Sequence, residues 1–111
     1  KRLAAPASVD SIPTSAMQED HVSMGWSAAR KLRRSIDGLQ RVLAIELMTA
    51  ARGIEMRGAR PSTVSAAVIG ALREVVPGPG PDRYLALDIQ AAVDAVVNGT
   101  LLAASGIGAT R

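Results

Sequence analysis

Apolar residues recur along the middle of this chain in steps of four and three. They are Leu32, Ile36, Leu39, Leu43, Ala50 and Ile54, with Glu46 standing in the one remaining place. That spacing lays a single stripe along a helix. Arg30, Arg34, Asp37 and Arg41 fall mostly off the stripe, and Asp37 to Arg41 is a favourable i,i+4 pair. From Val42 to Ala51 the chain reads V-L-A-I-E-L-M-T-A-A, apolar nearly all round. A helix apolar on every side is covered on every side. Too few other elements are present to cover it, so the pattern implies partners: more polypeptide, other subunits, or both. Glu46 inside that stretch then calls for a cationic or hydrogen-bonding partner.

Upstream, Ser15 followed by Gln18 has the form of a capping box, in which the hydroxyl accepts from a backbone N–H and the carboxamide reaches back. Glu19 and Asp20 would then fall in the first turn, where the helix dipole favours negative charge. The pattern predicts an irregular lead-in over 1–14 and a long helix over 15–57, with Asp20 or Ser23 as alternative starts. Gly58 to Pro61 ends that helix. Ser62 or Thr63 caps a second helix over 62–76, with Val64, Ala67, Val68, Leu72 and Val75 on one face and Gly70 weakening it slightly. The run Pro77-Gly78-Pro79-Gly80-Pro81 stops it and opens a stiff linker over 77–87. A third helix over 88–99 carries Ile89, Ala92, Val93, Val96 and Val97, with Asn98-Gly99 as its stop. The small-residue tail, 100–111, is expected to fray. No strand alternation is visible. The expectation is an all-α chain: one long central helix plus two shorter ones, part of a larger helical bundle.

Composition narrows this picture. At 111 residues the chain suits one domain or a piece of a longer one. Apolar residues make up 48%, yet there is no Phe, one Trp and one Tyr, so the core must be Ala, Val, Leu and Ile. Such side chains suit closely packed helices. The absence of Cys removes disulfides and thiolate metal sites and fits a reducing compartment. No apolar run reaches the roughly 18 residues of a membrane span. The opening K-R-L-A-A-P has no initiator Met and no apolar signal region, which reads as a cut into a longer chain. The net charge is a mild +3. Arg30, Lys31, Arg33 and Arg34 cluster, but no aromatic residues interleave with them, so they read as a solvated helix face rather than a nucleic-acid surface.

Candidate chemistry gathers at Gln18, Glu19, Asp20 and His21, the last being the only histidine. The plain reading of these residues is capping of a first turn; the functional reading is a ligand-facing cluster at the mouth of a helix. Glu19-x-His21 is not a metal spacing, because ligands on one helical face stand three or four apart. No metal site is expected. Asn98-Gly99-Thr100 matches a glycosylation sequon but reads as idle without a secretory signal. Trp26 and Tyr84 are single aromatics and read as packing residues. Ala104-Ser105-Gly106 is, by itself, part of a small-residue tail.

The block Q-E-D-H-V-S-M-G (18–25), preceded by I-P-T-S-A, resembles the C-terminal region of the histidine ammonia-lyases, within the aromatic amino acid lyase superfamily. The similarity continues in order through R-V-L-A-I-E-L (41–47), A-A-R-G-I-E, D-R-Y-L-A-L-D-I (82–89) and the spaced valines and glycine of 92–101. It covers residues 9 to 101. The resemblance implies a mostly helical, cytoplasmic homotetramer built around a long central bundle. It implies elimination of ammonia from L-histidine to give trans-urocanate, through a methylidene-imidazolone electrophile. That group forms from an internal Ala-Ser-Gly in the family's N-terminal third, outside this chain. The family's active-site glutamate maps onto Glu19, which would bind or polarise the substrate imidazole. A carboxylate suits this, since it accepts from an imidazole N–H and stabilises its charged form. Phenylalanine-specific relatives carry a carboxamide there. Gln18 is the next site-lining residue, and His21 is expected to be structural.

The chain departs from the family pattern at Met17, where many members have Asn, and at Leu87, where Pro is common. Ala104-Ser105-Gly106 lacks the family's flanking glycine and Asp-Leu context and reads as coincidence, so residues 1–111 alone are expected to be inactive. Two other function classes fit the chain: a non-catalytic helical oligomerisation module, and a related aromatic amino acid lyase or aminomutase.

Overall fold

The computed structural model describes residues 1–9 and 11–108. Among them the regular structure is all helical. A short 3-10 turn spans Ala7–Val9, and four α-helices follow: α1 (Gly25–Met56), α2 (Thr63–Arg73), α3 (Ala86–Val97) and α4 (Thr100–Ser105). The all-α class and the long first helix stand as the apolar periodicity implied. The chain divides into two compact units, 1–39 and 40–111, and α1 runs through the division.

The first unit holds the lead-in, a closed loop and the N-terminal part of α1. Here the structure corrects the sequence expectation: the helix starts at Gly25, not at Ser15. Ser15, Ala16 and Met17 all have positive φ (51°, 53° and 74°), a left-handed conformation that a right-handed helix excludes. No capping box forms. Asp20 does not begin the helix either, and Ser23 lies nearest the true start, its Oγ accepting from the N–H of Gly25 at 3.4 Å. The ammonium of Lys31 donates to the carbonyl of Ala5, tying the lead-in to α1. Arg30, Arg33 and Arg34 are exposed. So are Trp26 (77%) and Tyr84 (79%), which therefore do not pack within this chain as expected.

The second unit contains the core. Ala44 and Ala51 of α1, Leu72 of α2, Val76 just beyond it, Ala92, Val93 and Ala95 of α3, and Leu101 of α4 form one buried cluster. Four of these eight are alanines, whose small side chains let helix backbones approach closely. The scarcity of aromatic residues is thus met by thin interfaces. Gly58 (φ 60°) ends α1 in a Schellman motif: Ala59 N–H donates to Ile54 C=O at 3.2 Å and Gly58 N–H to Glu55 C=O at 3.1 Å. Ser62 caps α2, its Oγ accepting from Ser65 N–H at 3.2 Å.

Two further differences from the sequence reading lie here. Helix α3 starts at Ala86, two residues before Asp88, which sits in the first turn, ion-paired to Arg83 at 2.7 Å. And the stretch after Asn98-Gly99 is not simply a tail. Gly99 takes φ 79° and Asn98 Oδ1 accepts from both the N–H and the hydroxyl of Thr100, so one turn that stops α3 also launches α4. Leu101 then anchors α4 in the core. Val42, Leu43 and Ile45 of the all-round apolar stretch are exposed in this chain. Glu46 is exposed too, and no ion pair involves it among the described residues. In this chain it is solvated and has no buried charge to compensate.

Candidate active site

The polar cluster of 18–21 lies on a closed loop of the first unit. Its base is set by Ser11, whose Oγ accepts from the N–H of Val22 at 2.9 Å. Further in, Thr14 and Glu19 pair as an isolated antiparallel bridge. Thr14 N–H donates to Glu19 C=O at 2.8 Å, and Glu19 N–H donates to Thr14 C=O at 3.2 Å. The chain reverses between them through the left-handed residues Ser15, Ala16 and Met17, closed by Gln18 N–H to Ser15 C=O at 3.1 Å. Each left-handed L-residue costs roughly 1–2 kcal/mol. Three in a row persist only where surrounding bonds fix them, as the two-way backbone bridge does here.

The bridge brings two side chains together. Thr14 Oγ1 donates to Glu19 Oε2 at 2.6 Å. That length is typical of a hydroxyl donating to an ionised carboxylate. Glu19 is exposed and Thr14 half-buried. Among the described residues the other carboxylate oxygen, Oε1, accepts no hydrogen bond, which leaves it open to an incoming N–H donor. Gln18 lies beside it on the loop, exposed, its carboxamide making no hydrogen bond among the described residues. His21 is exposed, and no hydrogen bond of its ring is present among the same residues. Met17 occupies the last left-handed position of the turn. Sequence reasoning missed Thr14. The capping-box reading credited the neighbouring hydroxyl of Ser15, and only the turn geometry separates the two.

Among the described residues no group of three or more His, Asp or Glu side chains could hold a metal ion. The Ala104-Ser105-Gly106 tripeptide is at the end of α4 in the second unit. Ser105 Oγ donates to Leu102 C=O at 2.6 Å and accepts from Ile107 N–H at 3.1 Å, so this hydroxyl is consumed in ending the helix. The concavity lined by Arg52, Arg73, Arg83 and Pro77 also lies in the second unit. Two of its arginines are already engaged, Arg73 with Glu55 and Arg83 with Asp88.

The family model for aromatic amino acid lyases matches residues 1–74, and the chain belongs to that family. It is 63% identical over 107 residues to the histidine ammonia-lyase of Streptomyces avermitilis, covering 95% of this chain and 21% of that protein. It is 60% identical over 108 residues to the histidine ammonia-lyase of Streptomyces griseus, covering 94% and 21%. Among solved structures, the histidine ammonia-lyase of Trypanosoma cruzi superposes with a TM-score of 0.85 at 37% identity, over 94% of this chain and 21% of that one. The tyrosine aminomutase of Streptomyces globisporus gives 0.84 at 37% identity, over 93% and 20%. The chain thus spans about a fifth of the length of the relatives it matches.

Proposed function

We propose that this chain is the C-terminal helical segment of a histidine ammonia-lyase, which eliminates ammonia from L-histidine to give trans-urocanate. In that reading Glu19 binds or polarises the substrate imidazole and Gln18 lines the site beside it. The observation that carries it is the Glu19 carboxylate, with Oε2 held by Thr14 and Oε1 open. An imidazole N–H donating to Oε1 forms a charge-assisted bond, and the carboxylate stabilises the imidazolium as charge develops on the ring. The curated relatives at 60–63% identity support histidine as the substrate.

The methylidene-imidazolone electrophile of this family would come from outside residues 1–111. The chain's single Ala-Ser-Gly does not fit its precursor, because it is helical and its serine hydroxyl is committed to Leu102 and Ile107. Residues 1–111 alone are accordingly expected to be inactive. The parent enzyme is expected to be a cytoplasmic homotetramer whose helical bundle takes in α1.

Replacing Glu19 by Ala in the full-length enzyme tests the role. Loss of one charge-assisted hydrogen bond should lower kcat/KM for histidine by about 10–100-fold, followed as urocanate absorbance. Unchanged turnover would sink the assignment. The likeness to a tyrosine aminomutase supports one second reading, a related enzyme acting on another aromatic amino acid. Turnover of histidine against phenylalanine and tyrosine by the same preparation decides between them.

A further inference from the structure

We propose that Thr14 is a positioning residue for the Glu19 carboxylate, and that the left-handed turn of Ser15, Ala16 and Met17 is retained because it brings the two together. The proposal rests on the reading of Glu19 as the group that meets the substrate imidazole. Four observations carry it. Thr14 Oγ1 lies 2.6 Å from Glu19 Oε2. The two residues are also bonded to each other through both backbone N–H groups. Thr14 is half-buried, whereas every other residue from Ser11 to His21 described in the structure is exposed. And the connection between them is three consecutive non-glycine residues at φ 51°, 53° and 74°.

A glutamate on an exposed loop ordinarily samples many rotamers. A threonine is stiff at χ1, because two heavy atoms branch from its Cβ. With its backbone fixed by the bridge, its hydroxyl is a fixed donor. Holding Oε2 therefore fixes the carboxylate plane and leaves Oε1 in one place. Binding a ligand through a pre-ordered group avoids the entropy of ordering it on each encounter. Neither neighbouring polar side chain substitutes for Thr14, since Gln18 and His21 make no side-chain hydrogen bond among the described residues. Strain runs in the same direction: an observed backbone outlier beside a candidate site points to a constraint worth its cost.

The test uses the full-length enzyme with histidine. Thr14→Val keeps the shape and removes the donor; Thr14→Ser keeps the donor. Thr14→Val should raise KM about tenfold while kcat moves by less than about threefold, and Thr14→Ser should recover most of that loss. In a Glu19→Ala background, Thr14→Val should add less than about twofold, because the group it positions is gone. Three results each overturn the proposal: an unchanged KM in Thr14→Val, Thr14→Ser as impaired as Thr14→Val, or effects of Thr14 and Glu19 that multiply independently. Should Thr14→Val not yield folded enzyme, Thr14→Ala carries the same cycle. Failure of the Glu19 reading is seen separately, as full turnover in Glu19→Ala alone.

Discussion

Ala16 sits at φ 53°, between Ser15 at 51° and Met17 at 74°. Its Cβ resists that conformation by roughly 1–2 kcal/mol. Glycine carries no such penalty, though it adds about 0.4–1 kcal/mol of unfolded-state entropy. The balance predicts that Ala16→Gly, in the full-length enzyme, is neutral or stabilising by up to about 1 kcal/mol. Ala16→Val should be the reverse, losing more than about 1 kcal/mol, since a β-branched residue tolerates positive φ least. Thermal inactivation midpoints of the two variants check this; a lower midpoint for Ala16→Gly would show that the turn is not left-handed in the enzyme. This loop also marks the limit of what the sequence discloses. Glu19 could be singled out because four polar residues crowd together and the block resembles a known family. Its partner could not, because Ser15-x-x-Gln18 fits a capping box as well as it fits a turn. A capping box would use the Ser15 hydroxyl and the turn uses that of Thr14, and only the pairing of Thr14 with Glu19 five residues on decides between them.

Between α1 and α2 the polar tie among the described residues is a fork. Arg73 Nε donates to Glu55 Oε1 and Nη2 to Oε2, both at 2.7 Å, while Nη1 reaches Val76 C=O at 3.4 Å. The hydrogen bonds from Arg73 hold the Glu55 carboxyl below its ordinary value of 4.5; desolvation opposes this and the charge of Arg73 adds to it. A carboxylate depressed on folding contributes its full stabilisation above the unfolded value, and the contribution fades as pH falls through the lower folded value. With both side chains partly solvent-exposed, the pair is expected to contribute about 1 kcal/mol. Glu55→Gln should therefore lower the inactivation midpoint at pH 7 and lower it less at pH 3. An equal loss at both pH values would assign the effect to packing instead. The elements themselves were legible to different degrees. Helices α1, α2 and α3 announce themselves because a 3.6-residue period over eleven or more residues is hard to produce otherwise. Helix α4 has six residues, too few to show a period. It forms because the local Asn98-Gly99 turn launches it and tertiary packing buries Leu101. Helix α3 likewise starts two residues ahead of Asp88, whose carboxylate is ion-paired to Arg83.

At the scale of the whole molecule, the dominant fact is apolar surface without a cover. Leu32, Ile36 and Leu39 on the α1 stripe of the first unit are 63%, 47% and 56% exposed. In the second unit, Val42, Leu43 and Ile45 of α1 are exposed as well, and a groove between Leu47, Ile54, Val64 and Val68 stays open. Exposed apolar surface of this kind, within each unit, marks an interface. Burying one such side chain contributes about 1.5–3 kcal/mol, so a stripe of this length outweighs the usual cost of association. The relatives are about five times longer than this chain, and on the proposed reading the cover is further polypeptide or another subunit. Residues 1–111 prepared alone should then self-associate at micromolar concentration rather than run as an 11.5 kDa monomer. Ile36→Lys together with Leu39→Glu should shift that population toward monomer by placing charge on the stripe. In the full-length enzyme the same pair should impair assembly and, with it, turnover. Sedimentation velocity on both preparations reads the outcome. A well-folded monomer from the unaltered 1–111 chain, or an assembled enzyme indifferent to the paired charges, would mean that the stripe is solvent surface and that the cover lies elsewhere.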